Sequence, residues 1–425
     1  MDESRDHEVG WARDTIWWHV YPLGFVGAPI RETEGPPKPR HRLNQVVNWL
    51  DYAVDLGTNG LLLGPIFQSD THGYDSTDLW HIDDRLGDEK DFEELIDHAH
   101  RRGVKILLDG VFSHVGVGHP DFQAALAEGP SSPQAQLFDI DWEAPGGPAA
   151  RVFEGHGALV RFNHTQRATE DYVVSVMNHW LDRGADGWRL DAAYSVDPAF
   201  WARVLPRVRE RHPEAWFLGE VIHGDYTEFV QASTVNSVTQ YELWKAIWSS
   251  LLDENFFELD WSLKRHDEFL TGFVPNTFVG NHDVTRIASR LGAGRAVIAF
   301  AILMTVGGIP SVYYGDEQGF TGIKEEREAG DDAVRPPMPS DPAELAAFGE
   351  KTYACYRDLI GLRRRHPWLT TAHTEGLEVE NTRYRYRTTA ADGSAHLDVE
   401  IDLVGAGSAS IRDAAGNALW TKPDL

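Results

Sequence analysis

The feature that most constrains this chain is an alternation of short, uniformly apolar runs with amphipathic segments. TIWWHVYP (from Thr15), TNGLLLGP (from Thr58), VKILLDG (from Val104), DGWRLD (from Asp186), AWFLGE (from Ala215), SVTQYE (from Ser237), NTFVGN (from Asn276) and IPSVYYG (from Ile309) all read as strands. Runs that are apolar throughout, rather than at every second residue, suit parallel strands covered on both faces. Helical stripes fall between them. One is Leu43, Val46, Val47, Leu50, Ala53 and Val54. A second is Phe92, Leu95, Ile96 and Ala99, with Asp88 as N-cap and Gly103 as stop. A third runs from Val173 to Leu181 and ends at Gly184, and Asp197-Pro198 opens a fourth. Eight strands separated by helices predict an α/β fold of the (β/α)8 TIM-barrel type rather than an open sheet.

Two intervals break the pattern. Residues 115–163 form a connection rich in Gly, Pro and Ala, too long for a barrel loop, and are expected to form a short inserted domain after strand 3. After about Trp368 the chain alternates apolar and polar residues, with turn signals at Asp392-Gly393 and Gly416-Asn417, which predicts a small C-terminal β domain. The expected organisation is a barrel over 1–114 and 164–370, an insert over 115–163, and a β-sheet domain over 371–425.

Acidic residues outnumber basic ones, 66 to 39, for a formal charge of −27. Such a surface repels phosphate backbones and anionic lipid, so nucleic acid is not an expected partner. The longest charge-free apolar run, AVIAFAILMTVGGIP from Ala296, reaches about 14 residues before its glycines, short of the roughly 20 that span a bilayer, and reads as a core helix. The first residues, MDESRDHEVGWARD, are polar and lack the apolar centre of a secretion signal. The lone Cys355 excludes an internal disulfide and suits a reducing compartment, so a cytoplasmic, soluble protein is expected.

In a barrel of this kind, polar residues at the C-terminal strand ends converge on one face. The third strand ends in Asp109…His114, the fourth in Arg189 and Asp191, the fifth in Gly219-Glu220, and the seventh in Gly280-Asn281-His282-Asp283. Tyr21 follows the first strand and His72-Gly73-Tyr74-Asp75 the second. Taken singly, each piece has an ordinary alternative: a turn for Asp109 to His114, an ion pair for Arg189 and Asp191, a helix cap for Glu220 or Asp283. Four such pieces on successive strand ends are not needed by packing alone.

The set DGVFSH, GWRLD, LGE and VGNHD, in that order, resembles the four catalytic regions of the α-amylase family of glycoside hydrolases (family 13). HGYDSTD with HIDDRLG, and later GGIPSVYYGDEQG, resemble further signatures of that family. The resemblance implies a retaining α-glycoside hydrolase acting on malto-oligosaccharides or related small α-glucosides, with no cofactor. It implies Asp191 as nucleophile, Glu220 as general acid/base and Asp283 as the third carboxylate, whose charge would help keep Glu220 protonated. Arg189 would keep Asp191 ionised. Asp109, His114 and His282 would bind sugar hydroxyls, and Tyr74 would stack on a sugar face. Asp75 and Arg335 would pair to close a blind, exo-type pocket. Ala192, after the nucleophile, leans the linkage to α-1,4. A transglycosylase or isomerase of the same family shares this first half-reaction, and a non-catalytic sugar-binding protein is a more distant alternative.

No metal is expected. The 19 histidines include no zinc-type spacing. Ser113 stands where many calcium-dependent relatives carry Asn, and a hydroxyl is the poorer calcium ligand, although Asp139 and Asp141 are nearby acids.

Overall fold

The computed structural model describes residues 9–31, 39–327 and 329–424. The first eight residues and most of the EGPPKPR loop lie outside the described residues.

All eight expected strands form: β1 Trp17–Val20, β2 Gly60–Leu63, β3 Lys105–Gly110, β4 Gly187–Leu190, β5 Trp216–Gly219, β6 Ser237–Val238, β7 Asn276–Phe278 and β8 Ile309–Tyr313. They pair in parallel in the order β6-β5-β4-β3-β2-β1-β8-β7, and a parallel bridge from Thr239 to Asn276 joins the two ends. The result is a closed (β/α)8 barrel. The uniformly apolar runs have the anticipated cause. On β1, Trp17 faces the interior of the barrel while Trp18 and Val20 pack under the surrounding helices.

The barrel floor is aromatic. Trp17 and Trp216 stack at 5.6 Å, with Leu62, Leu107, Leu218 and Ile309 around them. Two glycines permit the close approach, one of a ring and one of the neighbouring strand's backbone. A Cβ on Gly60 would sit 2.4 Å from the Trp17 ring, and one on Gly187 would sit 2.1 Å from the Trp216 carbonyl. Apolar side chains thus fill the bottom, and polar ones are left for the top.

The helices follow their signals. Asp88 closes a capping box with Asp91 at the start of helix Glu89–Arg101. Asp197 caps helix Pro198–Arg209 through the Ala199 amide at 2.9 Å. The stripe from Leu43 to Val54 becomes two helices, Asn44–Asn48 and Leu50–Leu56, which meet at Trp49. Helix Ile287–Thr305 is the one described helix long and apolar enough to cross a membrane, but Gly292 (φ 73°) interrupts it and every residue from Ala296 to Thr305 is buried. It is a core helix of the barrel wall.

Between β3 and helix Arg167–Leu181 the chain makes a ribbon of His114–Gly116 with Leu159–Arg161, a helix Pro120–Glu128, and a small core of Val115, Phe122, Ala125, Ala135, Phe138, Val160 and Phe162. At the other end, β9 His373–Val379, β10 Arg383–Thr389, β11 His396–Asp402, β12 Ser408–Asp413 and β13 Ala418–Thr421 form one antiparallel sheet in sequence order. Tyr384 and Tyr386 point inward from β10, and the Tyr386 hydroxyl meets Thr305 at 2.6 Å. Gly393 and Gly416 take the left-handed turns that their dipeptides signalled.

Candidate active site

The C-terminal mouth of the barrel collects the residues singled out at the strand ends. Arg189, on β4 and 3% exposed, is their hub. Its Nη1 donates to both oxygens of Asp109 at 2.7 Å and to Asp191 at 3.2 Å, and its Nη2 meets Glu220 at 2.7 Å. The guanidinium is fork-shaped and always charged, which suits it to hold several carboxylates at once. The backbone assists. Ala192, directly after Asp191, adopts a left-handed conformation (φ 44°), and its amide donates to Glu220 Oε2 at 2.9 Å. Such a conformation in a non-glycine residue costs energy and persists where the surroundings enforce it. Here it ties the β4 acid to the β5 acid. Tyr241, after β6, donates its hydroxyl to Glu220 Oε1 at 3.2 Å and accepts from Asn281 at 2.9 Å.

Three acids around one cation cannot all ionise cheaply in a buried place. Burial, and then the neighbouring Glu220, push the Asp191 carboxyl well above the ordinary range, with Arg189 opposing only in part. Burial raises Asp109 as well. Arg189 is thus opposed in keeping Asp191 ionised: one positive charge is divided among three carboxyls, which together bind a proton more readily than isolated acids do.

Asp283, on the loop after β7, is the opposite case. Its Oδ1 accepts from Arg335 at 2.7 Å and its Oδ2 lies 3.0 Å from His282 Nε2. Burial pushes this carboxyl upward, but His282 and Arg335 outweigh burial and hold it well below the ordinary range. The His282 ring lies parallel to Tyr74 at 5.3 Å and to Tyr21 at 6.1 Å, and the Tyr74 hydroxyl bonds both Asp109 and His282. Tyr74 thus links the acid cluster to the Asp283 side.

Several expected contacts differ. Asp75 and Arg335 do not pair. Arg335 reaches Asp283, Asp331 at 3.3 Å and the His282 carbonyl at 3.0 Å, with its guanidinium over the Tyr21 ring at 4.5 Å. Asp75 accepts from the Thr71 hydroxyl at 2.6 Å instead, and its Oδ1 has no hydrogen-bond partner among the described residues. The reason is local. Asp331 precedes Arg335 by four residues, and together with Tyr21 it aims the side chain at the β7 loop. His114 is engaged on both nitrogens. Its Nε2 donates to the Tyr74 carbonyl at 3.0 Å, which leaves Nδ1 to accept from the Ser113 hydroxyl at 2.8 Å. Burial lowers its pKa to about 4, so it stays neutral. It steadies the Tyr74 loop and has no nitrogen to spare for a sugar hydroxyl. Asp109, 1% exposed, is likewise taken up by Arg189 and Tyr74. The Ser113 hydroxyl serves His114, Asp139 faces Arg151 at 3.4 Å, and Asp141 caps the Glu143 amide.

Sequence reasoning passed over Tyr241 and the rim pair Tyr194–Glu154, whose hydroxyl–carboxylate bond of 2.8 Å ties the insert to the loop after β4. Tyr241 carried a usable signal, since it follows β6 as Tyr21 follows β1. Glu154 carried none, because its position depends on the path of the insert.

The α-amylase catalytic-domain family model ("Alpha amylase, catalytic domain") matches residues 41–358. The chain is 29% identical over 422 residues to neopullulanase 2 of Thermoactinomyces vulgaris, covering 93% of this chain and 70% of that protein. It is 30% identical over 342 residues to a maltogenic α-amylase of Bacillus acidopullulyticus, covering 73% of this chain and 57% of that one. Among solved structures, the cyclic α-maltosyl-(1→6)-maltose hydrolase of Arthrobacter globiformis, in complex with that sugar, superposes with a TM-score of 0.80 at 25% identity over 92% of this chain and 91% of the other. With the barrel, the strand-end acids and the matched catalytic-domain model in agreement, this chain belongs to the α-amylase family of glycoside hydrolases.

Proposed function

We propose that this protein is a retaining α-glycoside hydrolase that cleaves α-glucosidic bonds, of the α-1,4 type, in linear or cyclic malto-oligosaccharides. The observation that carries the reading is the Arg189 hub, which holds Asp191 and Glu220 side by side at the barrel mouth while Asp283 stands apart as a fixed anion. Acetal cleavage needs a proton for the leaving oxygen and a carboxylate for the cationic sugar carbon. Retention needs these two carboxyls about 5 Å apart, a spacing that two acids sharing one guanidinium can meet. Asp191 attacks the anomeric carbon as Glu220 protonates the leaving glycosidic oxygen. Water, deprotonated by Glu220, then releases the sugar from Asp191. Asp283 and His282 hold hydroxyls of the same unit, and Asp283 adds negative charge that favours the oxocarbenium-like transition state.

Arg335 turns to Asp283 rather than Asp75, so these two side chains do not close a blind, exo-type pocket. The similar Arthrobacter hydrolase was solved with a cyclic tetrasaccharide, so cyclic substrates belong in the test. Cys355, buried and the only cysteine, supports a reducing cell interior as the place of action.

The test is a panel of maltotriose, cyclomaltodextrin, maltose, isomaltose, sucrose, trehalose and soluble starch, with products identified and the first-formed anomer read by NMR. The account expects turnover of the α-1,4 substrates, the α-anomer first, and a loss of about 10⁴-fold or more in Asp191→Asn. A β-anomer first, or no turnover of any α-glucan, would overturn it. Longer oligosaccharides or trehalose appearing ahead of glucose would make transfer the main reaction.

A further inference from the structure

Inside the barrel, just below the mouth, two buried imidazoles face each other. His19, from β1, is 5% exposed, and its ring meets the His282 ring edge-to-face at 5.1 Å. Nε2 of His19 and Nδ1 of His282 are both buried without a hydrogen-bond partner among the described residues. Buried polar atoms are paired in folded proteins, with protein or with ordered water, so two orphans in adjacent rings require an explanation. The rings border a cavity lined also by Arg189, Thr239, Asn276, Asn281 and Ser311, with ≈ 20 Å³ open to the centres of water molecules. One water needs roughly 10–15 Å³ by that measure, together with two to four polar partners, and this lining supplies them.

We propose that His19 is a positioning residue, which acts on His282 through ordered water held in this cavity. The physical case rests on what His282 must do. Its Nε2 serves the Tyr74 hydroxyl and the Asp283 carboxylate at once, and the Tyr74 hydroxyl has its own acceptor in Asp109. That pattern requires a proton on Nε2. A histidine's tautomer and tilt are set by the bond its other nitrogen makes. The other nitrogen here is Nδ1, which faces the cavity shared with His19. Burial, with the nearby Arg189 cation acting in the same direction, holds His19 neutral, so it can donate to or accept from the bridging water without adding charge beneath the acids. His19 thus extends the active site one layer into the barrel, where Trp17 of the same strand already closes the floor.

The inference rests on the reading of His282 and Asp283 as sugar-facing groups, but its first two tests do not use activity. A crystal structure at a resolution that shows ordered water should place at least one water within hydrogen-bond distance of both orphan nitrogens; a dry cavity overturns the proposal. In ¹⁵N-histidine NMR, with His282 assigned by comparison with His282→Gln, wild-type His282 should show a single form protonated at Nε2. In His19→Leu that signal should shift toward mixed tautomers, and His19→Gln, which keeps a polar end, should restore it. An unchanged His282 signal in folded His19→Leu overturns the proposal. In the hydrolysis assay, the Leu variant should lose about 10- to 100-fold in kcat with little change in KM, the scale of a small misplacement near the chemistry, and the Gln variant should recover most of it. If neither variant folds, the water test decides.

Discussion

The two sides of the barrel mouth use the same side chain in opposite ways. On the β3–β5 side, three carboxyls share Arg189, and the Asp191 carboxyl is pushed well above the ordinary range. On the β7–β8 side, one carboxyl has two nitrogen partners, Arg335 and His282, and the Asp283 carboxyl is held well below it. Burial acts in the same direction on both. What differs is the ratio of acids to cations within hydrogen-bond reach. A glycosidase needs both states at once, a store for a transferable proton and a fixed negative charge. The structure obtains them by setting three acids around Arg189 while giving Asp283 both Arg335 and His282.

The comparison can be broken at its hub. Replacing Arg189 by Leu leaves three buried acids without a counter-charge. Activity should fall to background, and stability should drop by about 3–5 kcal/mol, the cost of breaking a buried pair from one side. Denaturant melts would read this, and an unaltered midpoint would show that the cluster is not held by its cation. The second break is milder. Arg335→Met removes the arginine that helps keep Asp283 ionised, so the pKa of its carboxyl rises. The sign follows: the ionised form is then lost at a higher pH, and the acid limb of the kcat/KM profile should move up, with a loss of about tenfold at neutral pH. A profile with the wild-type acid limb would remove Arg335 from the account. A third test, silent in turnover, isolates burial itself. Glu317, after β8, is fully buried and accepts from the Tyr52 hydroxyl at 2.9 Å and the Gly315 amide at 2.9 Å, and burial lifts its pKa to about 7. A folded-state pKa raised above the unfolded value means that stability is highest in acid and is lost as pH rises through about 7. That loss should amount to about 3 kcal/mol at most. Glu317→Gln should flatten this slope between pH 4.5 and about 7 without affecting turnover; a slope that persists would place its source elsewhere.

Much of this was legible in the sequence, and the parts that were not have physical reasons. Eight apolar runs gave eight strands because a strand covered on both faces has no polar face to confuse its reading. The acids were found because strand ends in a closed parallel barrel converge whatever their loops do. Arg335 was located correctly but given the wrong partner, since a side chain on a loop after β8 is aimed by what it packs on, here Tyr21 and Asp331, and the sequence does not say what that will be. His114 was read as a sugar ligand, while its ring nitrogens were already taken by Ser113 and Tyr74. His19 drew no attention, because a histidine within an apolar strand looks like any buried polar residue until its neighbours across the barrel are known.

The claim at the centre is that Asp191 and Asp283 are shifted in opposite directions at one barrel mouth. It can be measured by ¹³C-carboxyl NMR on aspartate-labelled protein, with the two resonances assigned by difference from Asp191→Asn and Asp283→Asn. The account predicts that the Asp191 carboxyl titrates above the usual aspartate range but is ionised at the pH of maximal turnover, as a nucleophile must be, while Asp283 keeps its ionised shift down to the acid limit of folding. Two carboxyls that titrate together near pH 4, or in the reverse order, would contradict it.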